Sequence, residues 1–366
     1  MKRVVCLLVV LHALLALNVL MVAEGENSEP LFPAYDGGKY GYINQTGTLV
    51  IPPQFISAWE FGEGFACVRA AQSGPHAQTF INRKGELLLP PQFSNCGKFS
   101  EGRGAVAVDT EKTVRSCMDC DPFYHWGYID ASGKMVIQPQ FHHVNDFSEG
   151  LAAVENDAGK WGFIDKAGRT VLDFKYDYAS SFAEGLAIVV LHQRYGYIDH
   201  TGKAVIQPQF KKAFRFSEGL AAVRTSGQFE PPVGMFAGGN EVEHARWEYI
   251  DKGGRARIRL EAENVGNFSE DLADFGIVKP DGYLYCGFMD KTGKPVIPAT
   301  FGGCEGFSEG LALVLLEGKW HFIDRTGHIV LSPPNFQVKS FRNGLAEVSD
   351  FGYIDRTGKV VWPPVR

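Results

Sequence analysis

Apolar residues alternate with polar or small ones in short runs along most of this chain, and each run stops at a cluster of turn formers. In the run from Met135 to Phe141, Met135, Ile137, Pro139 and Phe141 fall on one parity and Val136, Gln138 and Gln140 on the other. That period of two predicts a β-strand. A shorter strand is predicted where Trp161 and Phe163 alternate with Gly162 and Ile164. It runs into Asp165-Lys-Ala-Gly168, and Asp or Asn followed three residues later by Gly recurs as Asn44/Gly47, Asn82/Gly85, Asp130/Gly133 and on to Asp355/Gly358. This is the signature of a type I turn closed by a left-handed glycine, joining two strands in a hairpin. A second turn, F-S-E-G, precedes a third short strand, Leu151 to Val154. Pro53, Pro91, Pro139 and Pro208 remove a ladder donor, so the strand that carries them should end there or lie at an edge. The result is a three-stranded antiparallel unit, too small to bury its own core, which must stack on its neighbours.

The unit repeats. The aromatic of G-[YF]-I-D recurs at Tyr42, Phe80, Tyr128, Phe163, Tyr197, Tyr249, Phe288, Phe322 and Tyr353. The phenylalanine of F-S-E-G recurs at Phe61, Phe99, Phe147, Phe182, Phe216, Phe268, Phe307 and Phe341, always 19 residues after the aromatic. A fixed interval between two fixed motifs marks one supersecondary unit, here eight complete copies and part of a ninth. All length variation falls in the other half of the copy, with long insertions at 109–124 and 225–244 and shorter additions at 71–78 and 277–284. The ninth copy, Phe351 to Val365, supplies a hairpin without a third strand, while Leu31 to Tyr40 resembles a third-strand half. If the N-terminal segment (24–38) completes the last copy, the array closes into a propeller-like ring; otherwise it is an open solenoid. Pro33 would sit inside the completing strand.

The first 23 residues fall outside this scheme. Lys2 and Arg3 precede an uncharged apolar run, Val4 to Ala23, followed by polar residues. This predicts a signal peptide cut after Ala23, with an uncleaved anchor as the alternative. Removing Lys2 and Arg3 from 36 basic residues, against 42 acidic, takes the net charge from −6 to −8, which argues against nucleic acid as a partner. Six cysteines then remain, an even number that suits disulfides in an exported chain.

K-W-G-F-I-D-K-A-G-R (Lys160 to Arg169), I-Q-P-Q-F (Ile206 to Phe210) and F-S-E-G-L-A-A-V (Phe216 to Val223) resemble the WG repeat, also called the KWG repeat. The Trp-Gly pair stands at Trp126-Gly127 and Trp161-Gly162, becomes Tyr-Gly at Tyr40 and Tyr195, and is lost at Trp247-Glu248 and Trp320-His321. The resemblance covers residues 39–366. It implies an often exported protein, frequently joined to other domains, in a family largely without an assigned biochemical activity.

The candidate chemistry is sparse. The F-S-E-G glutamates, Glu63 through Glu309, would form a row on stacked units; the simpler reading is turn chemistry, each Glu facing Lys134, Arg169, Lys203 or Lys294 after a hairpin glycine. Cys117-Met-Asp-Cys120 lacks a thioredoxin-like context and a second metal-ligand pair, so it reads as a local disulfide. Cys286 lies 18 residues before Cys304, within one unit, and Cys67 with Cys96 is a similar candidate pair; spacing leaves the connectivity open. His125, His142 and His143 read as solvated rather than metal-bound, and no catalytic signature accompanies them. We therefore expect no metal or cofactor, and a monomer that binds a protein, peptide or envelope polymer through its insertion loops, with Phe123, Tyr124, Phe229 and Phe236 as contact residues. The competing expectation is a propeller-type hydrolase or lyase with carboxylates converging on a central pocket. The expected location is secreted, periplasmic or cell-surface.

Overall fold

The computed structural model describes residues 29–70, 77–109, 124–226, 246–333, 337–348 and 352–363. Every regular element among them is a β-strand, and the strands form eight antiparallel sheets arranged as a ring, a β-propeller. A representative sheet runs His143–Val144, Leu151–Glu155, Trp161–Asp165, Thr170–Tyr176, each strand pairing with the next in sequence. The three expected strands are present, but they are drawn from two consecutive copies, and a two-residue strand is added. The reason lies in F-S-E-G: it is a hairpin turn, so the two residues before it and the strand after it share a sheet, and that sheet also takes the W-G hairpin of the following copy. The chain crosses between sheets between Tyr176 and Tyr178 and at equivalent points. The first sheet has five strands because Leu49–Ala58 pairs with Lys39–Ile43 on one side and then with Phe65–Ala70 on the other, fusing two modules.

This half-copy offset changes the role expected of the N-terminal segment. Phe32–Asp36 pairs with Lys39–Ile43 in the first sheet, not with the last hairpin, whose strands Gly352–Asp355 and Val360–Trp362 pair with Leu345–Val348. Among the described residues no sheet is split between the chain ends. Instead the ring closes through side chains. The Phe32 and Tyr353 rings lie 5.6 Å apart, the Trp362 indole donates to the Tyr35 carbonyl at 3.3 Å, and Phe32, Ala34, Ile43, Leu345 and Tyr353 form one buried cluster. Pro33 sits in the opening strand, where its missing N–H removes a donor from the ladder, as suits an edge.

The 19-residue interval is a packing distance. In all eight complete copies the G-[YF]-I-D aromatic meets the F-S-E-G phenylalanine, with ring centroids 4.6–5.1 Å apart, as in Tyr128–Phe147 at 4.9 Å and Phe163–Phe182 at 5.1 Å. From Phe80–Phe99 onward the first ring belongs to one sheet and the second opens the next, whereas Tyr42–Phe61 joins the two modules fused in the first sheet; each pair adds about 1 kcal/mol beyond area burial. Where the aromatic is Tyr, its hydroxyl donates to a carbonyl 17 residues on, as from Tyr128 to Asn145 at 2.8 Å. Burial pushes these phenols well above their ordinary pKa.

The glycine of W-G also has a steric cause. The partner strand bulges opposite it, so that a Cβ on Gly127 would lie 2.3 Å from the Ile137 carbonyl oxygen and 2.7 Å from the Pro139 nitrogen. Gly41, Gly196 and Gly287 are similarly confined. In the copy with Glu248 the partner strand, Ala256–Glu261, has no proline and pairs without a shift from Arg246 to Tyr249, so a side chain fits.

Candidate functional site

Each propeller sheet has two ends. F-S-E-G and D-x-x-G turns occupy one, the turn end. The other, the loop end, holds the connection from the Leu-Ala strand to the W-G strand and the crossover into the next sheet.

The turn end is occupied by structural contacts. Ser and Glu of one F-S-E-G bond to the next. Ser148 Oγ donates to the Phe182 carbonyl at 2.8 Å, and the Glu149 carboxylate accepts the Gly185 N–H at 3.0 Å. Equivalent pairs run from Glu101 to Gly150, Glu184 to Gly219, Glu270 to Gly310 and Glu309 to Gly344. The basic side chains facing these glutamates differ from those expected. They follow the hairpin Asp, not the hairpin Gly: Lys166 with Glu101 at 3.1 Å, His200 with Glu149 at 3.1 Å, Lys252 with Glu184 at 3.2 Å and Lys291 with Glu218 at 2.9 Å. The residue after the hairpin Gly instead donates its backbone N–H to the hairpin Asp, as Lys134 does to Asp130 at 3.1 Å. Burial raises the Glu101 and Glu218 pKa values, but the lysines and backbone amides outweigh it and hold both below the ordinary carboxylate range.

At the junction of the chain ends the letters change. Arg342 and Asn343 replace Ser and Glu, and Pro30, which has no N–H, takes the Gly position. Arg342 reaches Glu60 at 2.8 Å, and Gln45 Nε2 donates to the Asn343 carbonyl at 2.7 Å. A cavity of about 1060 Å³ opens there, lined in part by Glu60, Glu305, Arg342 and Glu347. Glu347 pairs with Lys339 at 2.8 Å, and Glu305 accepts from Ser340 at 2.7 Å. These carboxylates have partners, and the repeat glutamates are bound to backbone amides.

The loop end carries what the repeat does not explain. The insertion 110–123 leaves after Asp109 and returns at Tyr124, which sit directly opposite each other in the ladder. The insertion 227–245 leaves beside a bond from Thr225 N to the Arg246 carbonyl at 2.9 Å. The addition at 277–284 extends a hairpin through Val278 and Leu284, with Tyr283 exposed at its tip. Of the expected contact residues, Tyr124 opens the strand Tyr124–Ile129 and is half-buried; Phe123, Phe229 and Phe236 lie outside the described residues.

The same end gathers two of the three histidines with a group that sequence reading missed. His143 and Glu155 face each other across the Leu151–Glu155 ladder, and His143 Nδ1 lies 2.5 Å from Glu155 Oε2. His142 Nδ1 lies 3.6 Å from the same oxygen. His125 turns to Asp157 at 3.1 Å. The available signal was positional: in other copies Arg69, Val190 and Arg224 stand where Glu155 stands, so the carboxylate is not part of the repeat.

Among the described residues there are two disulfides, Cys67–Cys96 and Cys286–Cys304, with Cα separations of 5.9 and 6.0 Å. Both match the candidate pairs, and each staples one sheet to the next: the Cys286–Cys304 bridge lies within one sequence copy yet joins two sheets. Cys117 and Cys120 lie outside the described residues.

Comparison with known proteins gives a family. No curated protein matches the chain. Among solved structures, BamB from Moraxella catarrhalis aligns over 90% of this chain and 94% of its own, at 11% identity and a TM-score of 0.41. The WD40 domain from Toxoplasma gondii coronin aligns over 63% of this chain and 67% of its own, at 10% identity and a TM-score of 0.35. The profile described as the WG containing repeat matches residues 40–70, 79–109, 126–161, 161–193, 195–229 and 287–320. It passes over the copies at Tyr249 and Phe322, where the glycine of W-G is replaced, and the partial copy at Tyr353. With six matches that together cover more than half its length, the chain belongs to the WG-repeat family.

Proposed function

We propose that this protein is a non-catalytic binding scaffold acting outside the cytoplasm, a rigid propeller that presents its loop end to a protein or polymer partner. The observation that carries the reading is the division of labour between the two ends: turn-end side chains link sheet to sheet, while both long insertions and the non-repeat histidines belong to the loop end. Loops on a rigid scaffold are where binding ordinarily resides. Two inter-sheet disulfides and the basic-then-apolar N-terminus support an oxidising compartment.

The test is affinity capture and crosslinking from envelope and secreted fractions of the native host. The bait is the full chain, compared with a variant in which 110–123 and 227–245 are replaced by short Gly-Ser turns. Capture by the parent and not by the variant supports the reading. Equal capture by both, or none by a folded parent, overturns it. Free thiols at Cys67, Cys96, Cys286 and Cys304 in protein trapped in the host by alkylation would overturn the proposed compartment.

A further inference from the structure

We infer that His142, His143 and Glu155 form a site for a divalent transition-metal ion at the loop end of the sheet that contains Leu151–Glu155 and Trp161–Asp165. The three side chains offer one ligand atom each, and these atoms all lie within 4.8 Å of one another. Tetrahedral coordination with metal–ligand bonds of about 2.0–2.1 Å separates ligand atoms by about 3.3 Å. The two nitrogen–oxygen separations, 3.6 and 2.5 Å, lie on either side of that value and the nitrogen–nitrogen one is within 4.8 Å, so rotamer adjustment of about an ångström brings the set around an ion.

Three features make this a built site rather than a chance meeting of surface groups. First, the ligands sit on a ladder: His143 and Glu155 are direct cross-strand partners, and the His142 N–H donates to the Glu155 carbonyl at 2.9 Å, fixing the backbone of all three. Ligands carried on regular elements hold their geometry better than ligands on loops. Second, the Glu155 side chain is only 15% exposed, and its Oε2 lies within reach of both imidazoles, so the carboxylate already occupies the shared position. Third, the Trp161 ring lies nearly parallel to the His143 ring, with an interplanar angle of 15° and centroids 6.5 Å apart, an apolar neighbour on one side of the cluster.

The donor set selects the ion. Two imidazole nitrogens and one carboxylate oxygen suit Zn²⁺, Co²⁺, Ni²⁺ or Cu²⁺, whereas Ca²⁺ and Mg²⁺ require oxygen-rich sites. Three protein ligands leave at least one position for water or for a donor group on a bound partner. The inference does not depend on the proposed function, because metal binding is read without any partner.

The experiment is titration of tag-free full chain, pretreated with chelator, with Zn²⁺ by calorimetry and with Co²⁺ by visible absorption. The variants are His143→Ala, Glu155→Gln and, as a control on the same ring, His321→Ala. We expect one equivalent bound, d–d absorption from Co²⁺ in the range of four- or five-coordinate N/O sites, and a melting temperature that rises with metal. His143→Ala and Glu155→Gln should each weaken binding at least tenfold, and His321→Ala should not. Saturable binding that is unchanged in both site variants, or no saturable binding to the parent, overturns the site. Melting of each variant in chelator establishes that it is folded; should Glu155→Gln not fold, His142→Gln replaces it under the same criteria.

Discussion

The φ of 54° at Glu149 lies in the left-handed region, where a non-glycine residue costs about 1 kcal/mol, and Glu63, Glu101, Glu184, Glu218, Glu270 and Glu309 repeat it. With Gly150 at 86°, the two central residues match a type I′ hairpin turn, for which Asn-Gly is the usual choice. Glutamate is used because its longer side chain reaches the next turn's amide. Asn appears once, as Asn343, where the following Gly position is Pro30 and has no amide to offer. Glu149→Ala should therefore lower unfolding free energy in urea by about 1–2 kcal/mol through loss of the charge-assisted bonds. Asp274 is the opposite case. It stands where neighbouring sheets carry Ala153 and Ala222, and burial raises its pKa to about 6. A raised carboxyl pKa means this group's contribution to stability is greatest when it is protonated and falls as pH rises from about 4 to 6. Asp274→Ala should stabilise the fold at pH 7 by on the order of 1–2 kcal/mol and flatten the loss of melting temperature between pH 5 and 7. A variant that melts below the parent at pH 7 would contradict this. The hairpin aspartates act in the other direction. Hydrogen bonds, led by Thr201 at Asp199 and Thr292 at Asp290, lower their pKa values, so their stabilisation holds above the ordinary carboxyl range and is lost as pH falls through it.

Within a sheet, the tightest constraint is the bulge over the W-G glycine. A Cβ on Gly196 would stand 2.6 Å from the Pro208 nitrogen and 2.7 Å from the Ile206 carbonyl oxygen, both backbone atoms of the adjacent strand. Gly196→Ala should cost about 2–3 kcal/mol, as overpacking against backbone does, measured by chemical denaturation. Glu248→Gly should cost no more than about 1 kcal/mol, because the ladder there is regular and the main loss is the Arg259 pair at 2.9 Å. Equal costs at the two positions would contradict the steric account. The strands and the D-x-x-G hairpins were legible because alternation and turn chemistry are local. The glycine of W-G could be seen to recur, but its purpose could not be read: the bulge forms through pairing with a strand that begins several residues later. For the same reason the glutamates' partners were misassigned. Lys134 and Arg169 are near in the unit pattern, while Lys166 reaches Glu101 from 65 positions further along the chain.

For the whole ring, copy number and core were visible in the fixed 19-residue interval, whereas closure was not, because it depends on which half-copy each strand joins. The histidine site was hidden likewise: His142 and His143 are neighbours in sequence, but only strand pairing brings Glu155 between them. Closure leaves one junction unlike the others. Between neighbouring sheets elsewhere, a carboxylate accepts a turn amide, as from Gly185 to Glu149 or Gly219 to Glu184. At the seam Pro30 has no N–H and Asn343 has no charge; beside the buried cluster around Phe32 and Tyr353, the polar links among the described residues include Gln45 to Asn343, Arg342 to Glu60 and Trp362 to Tyr35. The disulfides do not span it either; they join the sheet of Phe65–Ala70 to that of Asn95–Ser100, and the sheet of Leu284–Asp290 to that of Gly303–Cys304. A closed ring opens at its weakest interface, so sub-global unfolding should begin at the seam. In native-state hydrogen exchange, amides of Lys39–Ile43 and Gly352–Asp355 should exchange through a lower-energy opening than those of Trp161–Asp165 and Arg194–Ile198, which occupy the same middle-strand position. Trp362→Ala should widen that difference without altering exchange at Arg194–Ile198. Uniform protection around all the middle strands would show that the substituted links hold as well as the repeated ones.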